Sequence, residues 1–120
     1  MATTTDLDDV SASVGAFATQ LGNRAIPFAM IARSQVREDA QARVEQAFEK
    51  AVAPARRQPG VLAYRPHRDP AAAGGFAVDE CWKSLDDLEA HLRTSCVAEL
   101  RREVEAAMVG APGFSRLRPL

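Results

Sequence analysis

This 120-residue chain is short of most residues from which chemistry is usually read. It has two cysteines, Cys81 and Cys96, two histidines, His67 and His91, one tryptophan and one tyrosine. The cysteines fit neither a disulfide framework nor a zinc spacing, so both read as reduced, partly buried thiols and no metal site is expected. Basic charge is not in excess: 15 Lys and Arg against 16 Asp and Glu leave a net charge of −1. That balance excludes the electrostatic footprint of a nucleic-acid partner. No apolar run approaches the about 20 residues of a membrane-spanning helix, and the acidic N-terminus lacks the apolar core of a signal peptide. A cytoplasmic protein without membrane contact is expected. There is no glycine-rich phosphate loop and no nucleophile elbow; Gly74-Gly75 is a turn signal. The preference for Arg over Lys and the abundance of Ala look like coding bias and carry no mechanism.

What the chain does have is sufficient for one core. Hydrophobic residues make up 47 % of it, and the length is that of a single domain. Residues 1–24 read as an N-terminal extension with a short helix, in which Val10, Val14, Phe17 and Leu21 recur at helical spacing and Gly22-Asn23 is the stop. It packs on the domain or on a neighbouring subunit. Residues 25–120 form the domain proper.

Alternation over residues 26–36 predicts a first strand, with Pro27 at its start. A long helix follows from about Glu38, with Val44, Phe48, Ala51 and Ala55 as its apolar stripe, an Asp39–Arg43 surface pair, and Pro54 bending or ending its last turn. Pro59-Gly60 breaks the chain before a second strand over 61–65. A hairpin loop containing His67 then leads to a third strand over 76–83. Ser84 and Asp87 form a Ser-x-x-Asp helix start, followed by helices at about 85–92 and 95–108; the second carries Val97, Leu100, Val104 and Met108. Residues 114–118 alternate as a last strand. The order is β-α-β-β-α-β with the second helical part split, which is the ferredoxin-like α+β pattern on an antiparallel sheet. The first strand is apolar on both sides, with Phe28, Met30 and Ala32 on one and Ala29 and Ile31 on the other. Helices cover one face only, so a symmetric partner is expected on the second, giving a homodimer with a cavity in each subunit.

The segment from Glu80 to His91 concentrates the scarce residues where a strand ends and a helix begins. Trp82 offers a face for stacking and an N–H for donation. Tyr64, on the neighbouring strand, has a hydroxyl for a substrate oxygen. His91 is the base suggested by residue type, since a free imidazole titrates near pH ~6.5. Glu80 lies in line with Trp82. Arg33 and Arg65 are candidates for stabilising an anion. Each has a plainer reading as well: core packing for Trp82 and Tyr64, a helix-end hydrogen bond for His91, a structural hydrogen bond for Glu80, and solvated arginines.

The run Pro59-Gly60-Val61-Leu62-Ala63-Tyr64, then Glu80-Cys81-Trp82, then Asp86-Asp87-Leu88 and Ala90-His91, resembles the antibiotic biosynthesis monooxygenase family of dimeric α+β-barrel proteins. The resemblance covers about residues 26–118. It implies an oxygenase that oxidises an aromatic polyketide or quinol to a quinone with molecular oxygen and no required cofactor. The family also implies alternatives: ring cleavage with reduced flavin (FADH2 or FMNH2) delivered by a flavin reductase, a non-catalytic dimeric binding or stress domain, and a polyketide cyclase or isomerase. Haem-degrading relatives use a helix histidine and a first-strand asparagine, where this chain has Arg101 and Ala32; haem is therefore disfavoured.

Overall fold

The structure is a computed structural model that describes residues 15–120. Val10, Val14 and the acidic start of the expected N-terminal helix lie outside the described residues. The helix is described over residues 15–21 (α1). It stops at Gly22, whose φ of +75° favours glycine and whose N–H donates to the Ala18 carbonyl at 3.0 Å, as a C-terminal cap requires.

Four strands follow, β1 (Phe28–Gln35), β2 (Val61–Arg68), β3 (Gly75–Trp82) and β4 (Gly113–Leu117), with three helices, α2 (Gln41–Arg56), α3 (Leu85–Leu92) and α4 (Ser95–Ala107). The sheet order is β2-β3-β1-β4, antiparallel throughout. This is the expected ferredoxin-like α+β fold. Pairing fixes which residues share a face. Phe28 lies opposite Trp82, Met30 opposite Glu80 and Ala32 opposite Val78, while Tyr64 lies opposite Glu80 from the other side. That face carries the helices. The alternate residues Ala29, Ile31, Arg33, Ala77, Asp79 and Cys81 occupy the opposite face.

The core has two parts. Val44, Phe48, Ala51 and Ala55 of α2 pack with Tyr64, Phe76, Val78 and Leu100, and Phe48 stacks on Phe76 at a centroid distance of 5.3 Å. Phe17 and Leu21 of α1 join Phe28, Met30, Trp82, Leu85 and Leu88 in the second. The α1 helix thus packs on its own domain.

Three local expectations change. The chain enters α2 through a 3-10 turn at Glu38–Ala40, which breaks the phase of the expected Asp39–Arg43 pair. Asp39 instead meets Arg37 at 3.1 Å, and Arg43 reaches Glu103 of α4 at 2.7 Å. Second, β2 runs on to Arg68, so His67 is an exposed strand residue opposite Ala77 rather than a loop residue. Third, Met108 leaves the helical stripe: it caps α4 and bridges Val36, the residue after β1. Pro54 sits in the last turn of α2, which ends two residues later.

Candidate functional site

The site is assembled by a bulge, a cap and a glycine. In β2 the register shifts between Val61 and Ala63, leaving Leu62 as the extra residue. Without that bulge, strict alternation would send Val61 and Tyr64 to opposite faces. With it, Val61 lies beside Trp82 and Tyr64 beside Glu80, both under the helices. Two residues past β3, Ser84 caps α3: its Oγ accepts the Asp87 N–H at 3.2 Å and donates to Asp87 Oδ2 at 2.8 Å. Gly60 holds φ at +81°, and a Cβ there would collide with the Asp87 side chain. The β2 start and the α3 start are therefore locked together. Three residues past Leu88, His91 turns inward on α3 to meet Trp82 and Tyr64.

The result is a buried cluster. The ring centroids of Trp82 and His91 are 4.6 Å apart, tilted by 38°, and those of Tyr64 and His91 are 5.5 Å apart, edge to face. Trp82 Nε1 donates to Glu80 Oε1 at 3.0 Å. Trp82 is 0 % exposed, His91 2 %, Tyr64 3 % and Glu80 6 %. His91 Nδ1 is buried with no hydrogen-bond partner among the described residues. Thr94 continues the polar line: it donates to the His91 carbonyl at 2.7 Å and lies 3.4 Å from Cys96 Sγ.

Burial moves the two ionisable groups of the cluster in opposite directions. Removal from water holds His91 neutral, with its pKa lowered to about 4. The same effect pushes Glu80 up to about 7, against a smaller pull down from the Trp82 N–H. Glu80 is thus the group whose titration moves towards neutrality, and His91 stays uncharged there. Burial also raises Tyr64, helped by the nearby Glu80 and Cys96, so its hydroxyl stays protonated as a donor.

Trp82, Tyr64, His91 and Glu80 are thus brought together. Arg33 and Arg65 are not: both lie on the opposite face of the sheet, where Arg65 faces Asp79 at 3.9 Å. Two surface cavities are lined by none of Trp82, Tyr64, His91 and Glu80. One of about 420 Å³ opens at the far end of the sheet beside Arg33, Gln35, Asp69 and Ala77. Another of about 550 Å³ runs between α2 and α4 beside Lys50, Pro54, Cys96 and Leu100. Trp82, His91, Tyr64 and Glu80 are buried by side chains of their own chain, so within one protomer this cluster is closed. Cys96 and Thr94 extend the cluster beyond the residues named from the sequence; the Thr94-Ser95 helix start was the signal that could have found them.

Among the described residues no group of three or more His, Cys, Asp and Glu could hold a metal, and no helix is long and apolar enough to cross a membrane.

The fold alone defines a small ferredoxin-like α+β domain, and several solved structures share it. PA3566 from Pseudomonas aeruginosa is 26 % identical, with a TM-score of 0.72 over 82 % of this chain and 98 % of that one. A Caulobacter crescentus CB15 protein, provisionally named an antibiotic biosynthesis monooxygenase, is 24 % identical, with a TM-score of 0.75 over 81 % of this chain and 92 % of that one. Rv0793 from Mycobacterium tuberculosis is 23 % identical, with a TM-score of 0.72 over 78 % of this chain and 95 % of that one. Comparison with curated proteins gave no match. The family model described as antibiotic biosynthesis monooxygenase matches residues 27–103, and the chain belongs to that family.

Proposed function

We propose that the protein is a homodimeric oxygenase that oxidises a flat phenol, anthrone or quinol to the quinone level with molecular oxygen. The observation that carries this reading is the burial of Trp82, Glu80, His91 and Tyr64 in one cluster between sheet and helices. Such oxidation asks little of a protein beyond a dry site, a base matched to neutral pH and donors for an anion. Glu80 takes a proton from the substrate carbon. The carbanion passes an electron to oxygen, and the two radicals combine to a peroxide anion, which Glu80 reprotonates. Loss of the second C–H proton and of hydroxide from the hydroperoxide leaves the carbonyl and water, so that CH2 and O2 become C=O and H2O. In this reading Tyr64 and His91 hydrogen-bond the developing phenolate, and Trp82 gives the ring a face to stack on.

The bare sheet face supports the dimer. Ala29, Ile31, Ala63, Ala77 and Cys81 are half-buried there, and Leu117 is 49 % exposed. A second copy covers this surface. One observation favours a second reading: the cluster is packed shut, as in a dimeric binding domain without turnover.

Oxygen uptake with an anthrone or a dihydroxynaphthalene, with and without reduced flavin, decides between them. The oxygenase reading expects flavin-independent uptake that falls at least tenfold in Glu80→Gln. Uptake that needs flavin moves the assignment to the ring-cleaving branch. No uptake from any quinol, with aromatic ligands still quenching Trp82, leaves the binding domain.

A further inference from the structure

The family-matched span begins at residue 27 and ends at 103, so α1 lies outside it, and so do the two arginines of the C-terminal segment that clasp α1. Phe17 and Leu21 reach from α1 into the apolar group that contains Phe28, Met30, Trp82, Leu85 and Leu88. A row of rings then runs inward. Phe17 meets Phe28 edge-on at 5.9 Å, Phe28 pairs with Trp82 across β1 and β3, and Trp82 lies against His91. The outermost ring of that row belongs to α1, and the innermost lie in the candidate site.

The contacts around α1 differ in kind from those inside the core. Arg24 bridges Asp86 at 2.6 Å and Glu89 at 3.0 Å, both on α3, and all three side chains are partly or largely open to solvent. The Arg116 guanidinium lies 3.9 Å over the Phe17 ring and donates to Gln20 Oε1 at 3.2 Å. Arg118 donates to the Leu21 carbonyl at 2.9 Å. Solvent-facing charge pairs are weak and screened by salt. Between α1 and β1 the chain turns at Gly22, with a φ of +75° and no atom within 4 Å of where a Cβ would sit. Two apolar side chains thus plug the end of the helix-covered layer, and a polar rim holds them in place.

We infer that α1 is a lid: Phe17 and Leu21 occupy the place of an apolar, fused-ring ligand, and release of the Arg24, Arg116 and Arg118 clasp lets such a ligand take that place beside Phe28 and Trp82. This deepens the oxygenase reading, since it supplies the way in that the packed cluster lacks. It also fixes the ligand class as flat and largely apolar, because the residues that α1 covers are Phe28, Met30, Leu85 and Leu88.

Trp82 is the only tryptophan, so its fluorescence reports the lid directly. Acrylamide quenching is measured on the full chain and on Arg24→Ala and Phe17→Ala, with circular dichroism to establish folding. The lid predicts that Trp82 is shielded in the parent at low salt. It predicts quenching severalfold stronger in Arg24→Ala and in the parent at 1 M salt, and strongest in Phe17→Ala. The dye 1-anilinonaphthalene-8-sulfonate should bind both variants at least fivefold more tightly than the parent and quench Trp82. Folded variants with Trp82 still shielded and unchanged dye affinity overturn the proposal. So does loss of the whole fold in Arg24→Ala, which leaves every buried α1 side chain in place, because α1 is then part of the core. Neither measurement contains oxygen or a quinol, so failure of the oxygenase reading leaves the outcome for α1 intact.

Discussion

The two faces of one sheet divide the molecule. On the helix-covered face, Phe28, Met30, Tyr64, Phe76, Val78, Glu80 and Trp82 are all buried by elements of the same chain. On the other face the alternate residues of the same strands are mostly small or charged, half-buried at best, and carry Arg33, Arg65 and Asp79 into solvent. Backbone and hydrogen-bond ladder are shared, so only side-chain direction separates them. The covered face combines large rings with ionisable groups and holds them at unusual pKa values. The bare face has no such cluster, and its half-covered apolar residues suit a partner. On the proposed function, the pleat splits chemistry from assembly, with the reacting groups on one side and the docking surface on the other.

The largest effect should come from truncating the covered face. Phe28→Ala is expected to cost roughly 3–5 kcal/mol of unfolding free energy, the range for a fully buried aromatic ring. Ile31→Ala, three residues along and half-buried on the bare face, should cost less than half of that in the monomer. Urea denaturation of both variants tests the contrast; equal losses would mean that the bare face is as much a core as the covered one. The same face predicts assembly. Ile31→Lys should leave the monomer folded and abolish the dimer in sedimentation, because a charge on that surface loses its solvent if a second copy covers it.

Next in size is an opposed pH dependence inside the covered face. His91 titrates lower when folded, about 4 against 6.5, so its contribution is fully present above pH 6.5 and is lost as pH falls towards 4. Glu80 titrates higher when folded, about 7 against 4.5, so its contribution is present below pH 4.5 and is lost as pH rises towards 7. Each is worth on the order of 3 kcal/mol, and between about pH 4.5 and 6.5 they oppose each other. Glu80→Gln should therefore gain stability as pH rises through that window. His91→Asn should lose it, and the parent should change less than either. Denaturation midpoints across pH 4–7 measure this. Two variants with the same slope would show that the groups do not sit in the environments described.

Much of this division was legible in the sequence. Alternation put Phe28 with Met30 on one side of the first strand and Glu80 with Trp82 on one side of the third, and the sequence also named the order of elements and the Ser84 cap, because these follow from local periodicity and hydrogen bonding. The residues that went astray depend on distant geometry. The bulge at Leu62, which turns Tyr64 under the helices, leaves no mark in the residue pattern. Arg33 and Arg65 have the right chemistry for an anion and the wrong parity for the site. Residue type pointed to His91 as the base, from the titration of a free imidazole; desolvation, which depends on what the fold packs around each group, lowers His91 and raises Glu80, and the proposed function gives the base role to Glu80 on that ground.

The smallest effect gives the sharpest cut. Tyr64 and Arg65 are neighbours on β2, yet one is buried against His91 and the other is 62 % exposed on its side chain and 3.9 Å from Asp79. An exposed pair at that distance contributes at most a few tenths of a kcal/mol, so Arg65→Ala should hardly move the denaturation midpoint. Tyr64→Phe keeps the ring and removes the hydroxyl, so it too should cost only about 1 kcal/mol. Stability therefore does not separate them, and turnover should. If the reacting groups lie under the helices, oxygen uptake falls about tenfold or more in Tyr64→Phe and stays within twofold in Arg65→Ala. The reverse result would move the chemistry to the sheet's bare face, where an arginine from each copy would meet the substrate, and the pleat would no longer divide reaction from assembly.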